Sequence, residues 1–334
     1  MKSRMSDAAV LRATRNCLKS NYGITGDLKR LPGENLNYLV TTGAGRQYVA
    51  KLVDEDMPSD IISLAAEVIG HALGKVAELE LPKILENKNG NIETRIKSDI
   101  NKPIRLHVME FLTGNVLHGI TDISEKLLAD SGRILARFDL ALADFDHPAA
   151  HRNHRWNLAK ANQHRDSIRL LSGPEQRELL SWAFDTWERK AAARFHELPH
   201  QVIHGDAFTE NLLVRDDKVT GLVDFGDCCY NPTICELAIC LTYLMMERED
   251  PVPTAAVITR GYHEVRPLSE AELDVLLPLV CGRLAVTLAV SAERKLIDPD
   301  NPNWFEGEGP ARRLIRKLRS TGIDAARDHL ARLL

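Results

Sequence analysis

Two short stretches carry residues whose types and spacing suit phosphoryl transfer: His204-Gly205-Asp206-Ala207-Phe208-Thr209-Glu210-Asn211, and Asp224-Phe225-Gly226-Asp227 further along. Asp206 is placed to accept the proton of a substrate hydroxyl. Asn211 and Asp224 offer a carbonyl and a carboxylate oxygen, the hard donors that hold Mg²⁺ against the phosphates of a nucleotide.

The flanking sequence predicts the elements that would position these groups. Gln201-Val202-Ile203 is a short apolar run, so Asp206 is expected just past a strand, on a loop. Asn211 to Val214, the polar turn Asp216-Asp217-Lys218 and the apolar return from Val219 to Phe225 read as a hairpin. Its ends meet in space, which would let Asn211 and Asp224 share one cation. Taken singly, either motif could be an Asp capping backbone N–H groups on a turn. Together, in this order and with this strand pattern between them, they favour catalysis.

These residues resemble the catalytic and metal-binding loops of the aminoglycoside phosphotransferase family, small-molecule relatives of protein kinases, with His-Gly-Asp in place of His-Arg-Asp. Phe145-Asp146-His147-Pro148, Trp156-Asn157-Leu158 and Val223 to Asp227 are further similar to hydroxylysine kinases. The resemblance implies an α+β, bilobal protein-kinase-like fold. A small antiparallel-sheet lobe over 1–113, with a hinge at its end, would bind the nucleotide, and a larger, mainly helical lobe over 114–334 would carry catalysis and substrate binding. It also implies His204 as a brace for the loop, a phosphate-covering turn at Gly33, a strand lysine at Lys51 within Tyr48-Val49-Ala50-Lys51-Leu52-Val53, and Glu67 on the next helix as its partner. For Gly33 an ordinary hairpin, for Lys51 a solvated strand lysine and for Glu67 a solvated helix charge are the plain alternatives. At the hinge, backbone groups of Glu110 and Leu112 would read a purine edge while Met109 limits the pocket's depth. Backbone reading does not separate adenine from guanine, so ATP and GTP both stand as donors.

Composition agrees with two lobes. The 334 residues are 44% apolar, enough for more than one core. A net charge of −4 gives no electrostatic footprint for nucleic acid or a membrane surface, and no apolar run is expected to cross a bilayer. Six cysteines without paired spacing or a secretory segment predict reduced thiols in a cytoplasm. Helical periodicity is read over Met1–Asn21, Ser63–Leu73, Ser124–Asp144 with Ser124 as cap, Pro174–Phe195, Thr233–Glu247, Glu270–Val280, Gly282–Lys295 and Arg312–Leu334.

The acceptor must be argued from this helical part. Asp227 could bind a substrate ammonium or order its loop. Arg283, a lone charge on an apolar helix, could clamp a substrate carboxylate or form a structural salt bridge, and Trp156-Asn157 could line the site or simply pack and cap. The expected reaction moves the γ-phosphoryl group of ATP or GTP, with Mg²⁺, to a hydroxyl of a small amino alcohol or hydroxy amino acid, hydroxylysine first. Homoserine, choline-like or aminoglycoside acceptors would use the same groups. A protein kinase is disfavoured, because no Ala-Pro-Glu segment follows Asp224 and little room is left for an activation loop. A nucleotide-binding pseudoenzyme is disfavoured because every catalytic group is present. Oligomeric state is left open by the sequence.

Overall fold

The computed structural model describes residues 7–31, 36–96, 104–246, 248–301, 305 and 307–334. It divides into two compact units, Met1–Leu73 with Glu80–Thr113, and Gly74–Leu79 with Gly114–Leu334.

The first unit begins with α1 (Asp7–Cys17), which widens into a π turn (Leu18–Tyr22) and stops at Gly23, whose φ of 71° is the left-handed conformation that ends helices. Then come β1 (Gly26–Arg30), β2 (Leu36–Thr42), β3 (Gln47–Asp54), α2 (Asp60–Ala72), β4 (Ile84–Leu85), β5 (Thr94–Ile96) and β6 (Ile104–Glu110). The sheet runs β1-β2-β3-β6-β4, with β5 also on β6, and all its pairings are antiparallel. Alternation places Tyr38 and Val40 of β2, Ala50 and Leu52 of β3, and Leu106 and Val108 of β6 in one apolar core. Lys51, one residue out of step with Ala50 and Leu52, takes the other face, between Asn37 and His107 across the neighbouring strands.

The second unit holds β7 (Asn115–Val116), α3 (Glu125–Ala141), α4 (Pro174–Lys190), β8 (His200–Ile203), β9 (Leu212–Arg215), β10 (Lys218–Leu222), β11 (Cys229–Pro232), α5 (Ile234–Met245), α6 (Pro251–His263), α7 (Glu270–Ile297), α8 (Glu308–Thr321) and α9 (Ile323–Leu333). Its small sheets run β10-β9-β7 and β11-β8. Ser124 caps α3 by accepting the Leu127 N–H at 3.0 Å. The hairpin between β9 and β10 turns through Asp216 and Asp217, both at positive φ.

Three sequence expectations are corrected. The helix from Pro174 ends at Lys190, and Phe195 belongs to a separate 3₁₀ segment, Ala192–Glu197. The two helices read around Cys281 are one, α7, which carries Pro278 and Gly282 inside it. A Cβ on Gly282 would run into the Trp187 indole, so this glycine serves close packing of α7 on α4 and does not mark a break. Joined, α7 is long and apolar enough in length and composition to cross a membrane, contrary to the reading of its halves. With 94% of its apolar window buried inside the protein, it is a core helix.

Candidate phosphotransfer site

β8 delivers the chain to a loop that is bonded on every side. His204 is fully buried: its Nδ1 accepts the Asp206 N–H at 3.2 Å, which leaves Nε2–H to donate to the Val223 carbonyl at 3.1 Å. Its ring packs edge-on against Phe225 at 4.7 Å, so the same side chain joins the loop to the segment after β10. Gly205 has φ 77°, and a Cβ there would lie 2.5 Å from the Asp227 carbonyl oxygen. Only glycine lets these two backbones approach. Beneath the loop, the buried Glu236 of α5 accepts the His204 N–H at 2.5 Å and the Gly205 N–H at 3.2 Å. Burial pushes the Glu236 carboxyl up to about 7, with the backbone donors working the other way.

Asp206 is held through both carboxylate oxygens. Oδ1 meets Arg283 Nη2 at 2.7 Å, and Oδ2 accepts from Asn211 Nδ2 at 3.0 Å. The same Nδ2 donates to the Asp206 carbonyl at 2.8 Å, which commits the amide nitrogen and leaves Oδ1 as the amide atom that could meet a cation. The Val223 N–H bonds the Asn211 carbonyl at 3.0 Å, bringing the next residue, Asp224, beside Asn211. Asp224 has φ 66°, a left-handed backbone rare outside glycine. Burial raises the Asp206 carboxyl well above its ordinary range; Arg283 opposes this, and the charges of Asp227 and Asp224 add to it. An amide oxygen beside a group of mutually repelling carboxylates fits a hard divalent cation. Among the described residues no group of three or more His, Cys, Asp or Glu forms a closed metal cage. Two protein donors would leave the remaining positions of such a cation to water and phosphate, as Mg²⁺ prefers.

Arg283, on α7 and 1% exposed, spends its other nitrogens on Tyr243 Oη (3.2 Å from Nε) and the Trp156 carbonyl (3.4 Å from Nη1). Its guanidinium lies 4.9 Å from the Trp156 ring centroid and 5.4 Å from that of Tyr243. Burial opposes its charge, but Tyr243 and Asp206 outweigh burial and raise its pKa. Asp227, on the 3₁₀ turn Phe225–Asp227, stands with Oδ1 3.4 Å from His154 Nδ1. Burial first, then Arg152 and Arg283, lowers the His154 pKa to about 3, so its imidazole is neutral. Asn157 caps the following 3₁₀ run by accepting the Ala159 N–H at 3.0 Å.

In the first unit, Lys51 lies on β3 and Glu67 on α2, where Glu67 accepts from Ser63 Oγ at 3.0 Å. Met109 is buried on β6, Glu110 is exposed with its N–H given to the Lys83 carbonyl at 2.9 Å, and Leu112 is half-buried. Gly33 lies outside the described residues.

The sequence profile of the Phosphotransferase enzyme family matches residues 27–271. The chain belongs to this family. Among curated relatives, hydroxylysine kinase from Mus musculus is 26% identical over 283 residues, covering 79% of this chain and 74% of its own. Homoserine kinase from Gluconobacter oxydans (strain 621H) is 27% identical over 259 residues, covering 76% and 77%. Among solved structures, the amicoumacin kinase hAmiN in complex with AMP-PNP, Ca²⁺ and Ami superposes with a TM-score of 0.70 at 16% identity, covering 95% of both chains. The fold is therefore the α+β, protein-kinase-like fold of small-molecule phosphotransferases.

Three residues of this phosphotransferase escaped the sequence reading. Glu236 had a signal, a lone carboxylate in the apolar run Ile234 to Met245. His154 had only a weak one, its place in the polar run His151 to Arg155. Tyr243 had none, since an aromatic on a buried helix reads as packing.

Proposed function

We propose that this phosphotransferase moves the γ-phosphoryl group of ATP or GTP in line to a hydroxyl of a small amino-bearing acceptor, with hydroxylysine the first candidate. The observation that carries the reading is Asp206 held between Arg283 and Asn211 on a loop braced by His204 and Glu236. A general base must be ionised, aimed and basic. Pairing with Arg283 supplies the first two, and burial among like charges the third. Asp206 orients the acceptor hydroxyl and takes its proton as the new P–O bond forms and the bond to the leaving diphosphate breaks. Asn211 Oδ1 and Asp224 would hold Mg²⁺, which when bound neutralises phosphate charge facing the carboxylates. On the first unit, Lys51 with Glu67 would position the phosphates, Gly33 would cover them, and Met109, Glu110 and Leu112 would receive the purine. Asp227, Arg283 and Trp156 border the acceptor. Support for an amino-bearing acceptor comes from the hydroxylysine kinase relative and from the carboxylates around Asp206. The homoserine kinase relative, at nearly the same identity, supports a hydroxy amino acid as the second reading.

Replacing Asp206→Ala is expected to lower kcat on the order of 10³-fold while nucleotide affinity by titration calorimetry stays within about twofold. Wild-type turnover in that variant overturns the assignment. A coupled nucleotide-consumption assay over amino alcohols, hydroxy amino acids and aminoglycosides, with ATP and GTP in parallel, identifies acceptor and donor.

A further inference from the structure

His154 is a buried polar side chain that its surroundings do not satisfy. It is 9% exposed, and neither ring nitrogen has a hydrogen-bond partner. Leaving such a group unpaired is costly, so its place beside a site carboxylate calls for a reason. Nδ1 faces Asp227 Oδ1 at 3.4 Å without the alignment of a hydrogen bond, and the Asp227 carboxylate is the more exposed member of the pair, at 27%. Arg152 and Arg283 are its other charged neighbours. Burial first, and then these two guanidiniums, keep the ring uncharged, and this matters for Asp227. An imidazolium at this distance would cancel the carboxylate's charge, whereas a neutral imidazole can donate one N–H and leave the charge in place.

Building on the phosphoryl-transfer reading, we propose that Asp227 receives an ammonium group of the acceptor, and that His154 is the positioning residue that fixes the carboxylate by turning Nδ1–H onto Oδ1 when the acceptor docks. A carboxylate here, with Asp206 and Asp224 nearby, repels an acceptor's own carboxylate and draws a cation. The Asp227 backbone is packed against Gly205, the residue before Asp206. A hydroxyl that reaches Asp206 and a cation that reaches Asp227 therefore belong at the same end of the acceptor. The acceptor class is a small amino alcohol, free or as the end of a longer amino acid.

The test compares 1-amino-2-propanol with propane-1,2-diol as acceptors, in wild type and in the variants Asp227→Asn, His154→Phe and His154→Asn. Wild type is expected to favour the amine by about 100-fold in kcat/KM, and Asp227→Asn to abolish that preference by raising KM for the amine alone. His154→Phe, which keeps the bulk without a donor, should raise KM for the amine about 10-fold with nucleotide KM unchanged, while His154→Asn, which keeps a donor, should restore most of it. Equal use of amine and diol by wild type, an equal loss on both in Asp227→Asn, or a rise in nucleotide KM matching that for the amine in His154→Phe each overturns the proposal while leaving phosphoryl transfer standing. Failure of wild type to phosphorylate any hydroxyl overturns both.

Discussion

A guanidinium that is 1% exposed and meets a carboxylate oxygen at 2.7 Å favours the charged form of that carboxylate against its burial. Removing it strands Asp206 among Asp224 and Asp227. Arg283→Met is expected to cost about 3–5 kcal/mol of stability, the usual consequence of breaking one half of a buried pair, and to lower kcat by about 100-fold because Asp206 then loses the contact that aims it and favours its ionised form. Denaturant titration and steady-state kinetics check the two effects separately. Arg283→Lys should recover stability more than activity, since an ammonium replaces the charge but not three directed contacts. Arg283 itself was legible in the sequence as a lone charge on an apolar face. Its partner was not, because Asp206 is 77 residues away and only the fold brings them together. The same limit hid His154, whose meaning depends on what surrounds its ring. Asp206, Asn211 and Asp224 were legible for the opposite reason: two local motifs and a hairpin join them, and a hairpin can be read from alternation and turn residues.

At the level of elements, α3 and α6 cross where each carries a glycine. A Cβ on Gly132 would collide with the Ile258 carbonyl, and one on Gly261 with the Ala129 carbonyl. The helices touch backbone to backbone there. Either Gly→Ala change should destabilise the protein by about 1–3 kcal/mol or more, since neither obstacle is a side chain that can swing aside; the midpoint of urea unfolding checks this. In an open helix the same change would stabilise by about 1 kcal/mol, so the sign of the effect reports the crossing. α6 was invisible to periodicity because it opens with Pro251 and Pro253 and holds Gly261, residues that read as loop. Prolines fit a first turn whose N–H groups have no partners within the helix, and the glycine is explained only by the neighbouring helix. α7 failed the other way, since the run was read as two helices parted at Cys281, where the buried helix continues unbroken.

For the whole molecule, His154 links stability to acid. Its imidazole is neutral when folded, with a pKa lowered to about 3 from its ordinary 6.5, while the unfolded chain takes up a proton near 6.5. Between those limits the unfolded state binds more protons, so this group's stabilising effect is complete above pH 6.5 and is lost as pH falls, with a slope that can approach about 1.4 kcal/mol per pH unit. Thermal unfolding of wild type and His154→Asn across pH 4 to 7 should show a shallower fall in the variant; parallel curves would refute the link. All six cysteines are buried free thiols, and burial raises the pKa of each. Ellman's reagent should therefore find almost no fast-reacting thiol in the native protein and six after denaturation. A cysteine introduced at an exposed position, in either unit, would then be the one handle that reacts quickly. Dye pairs for distance measurements could be attached without first stripping the native cysteines from the chain.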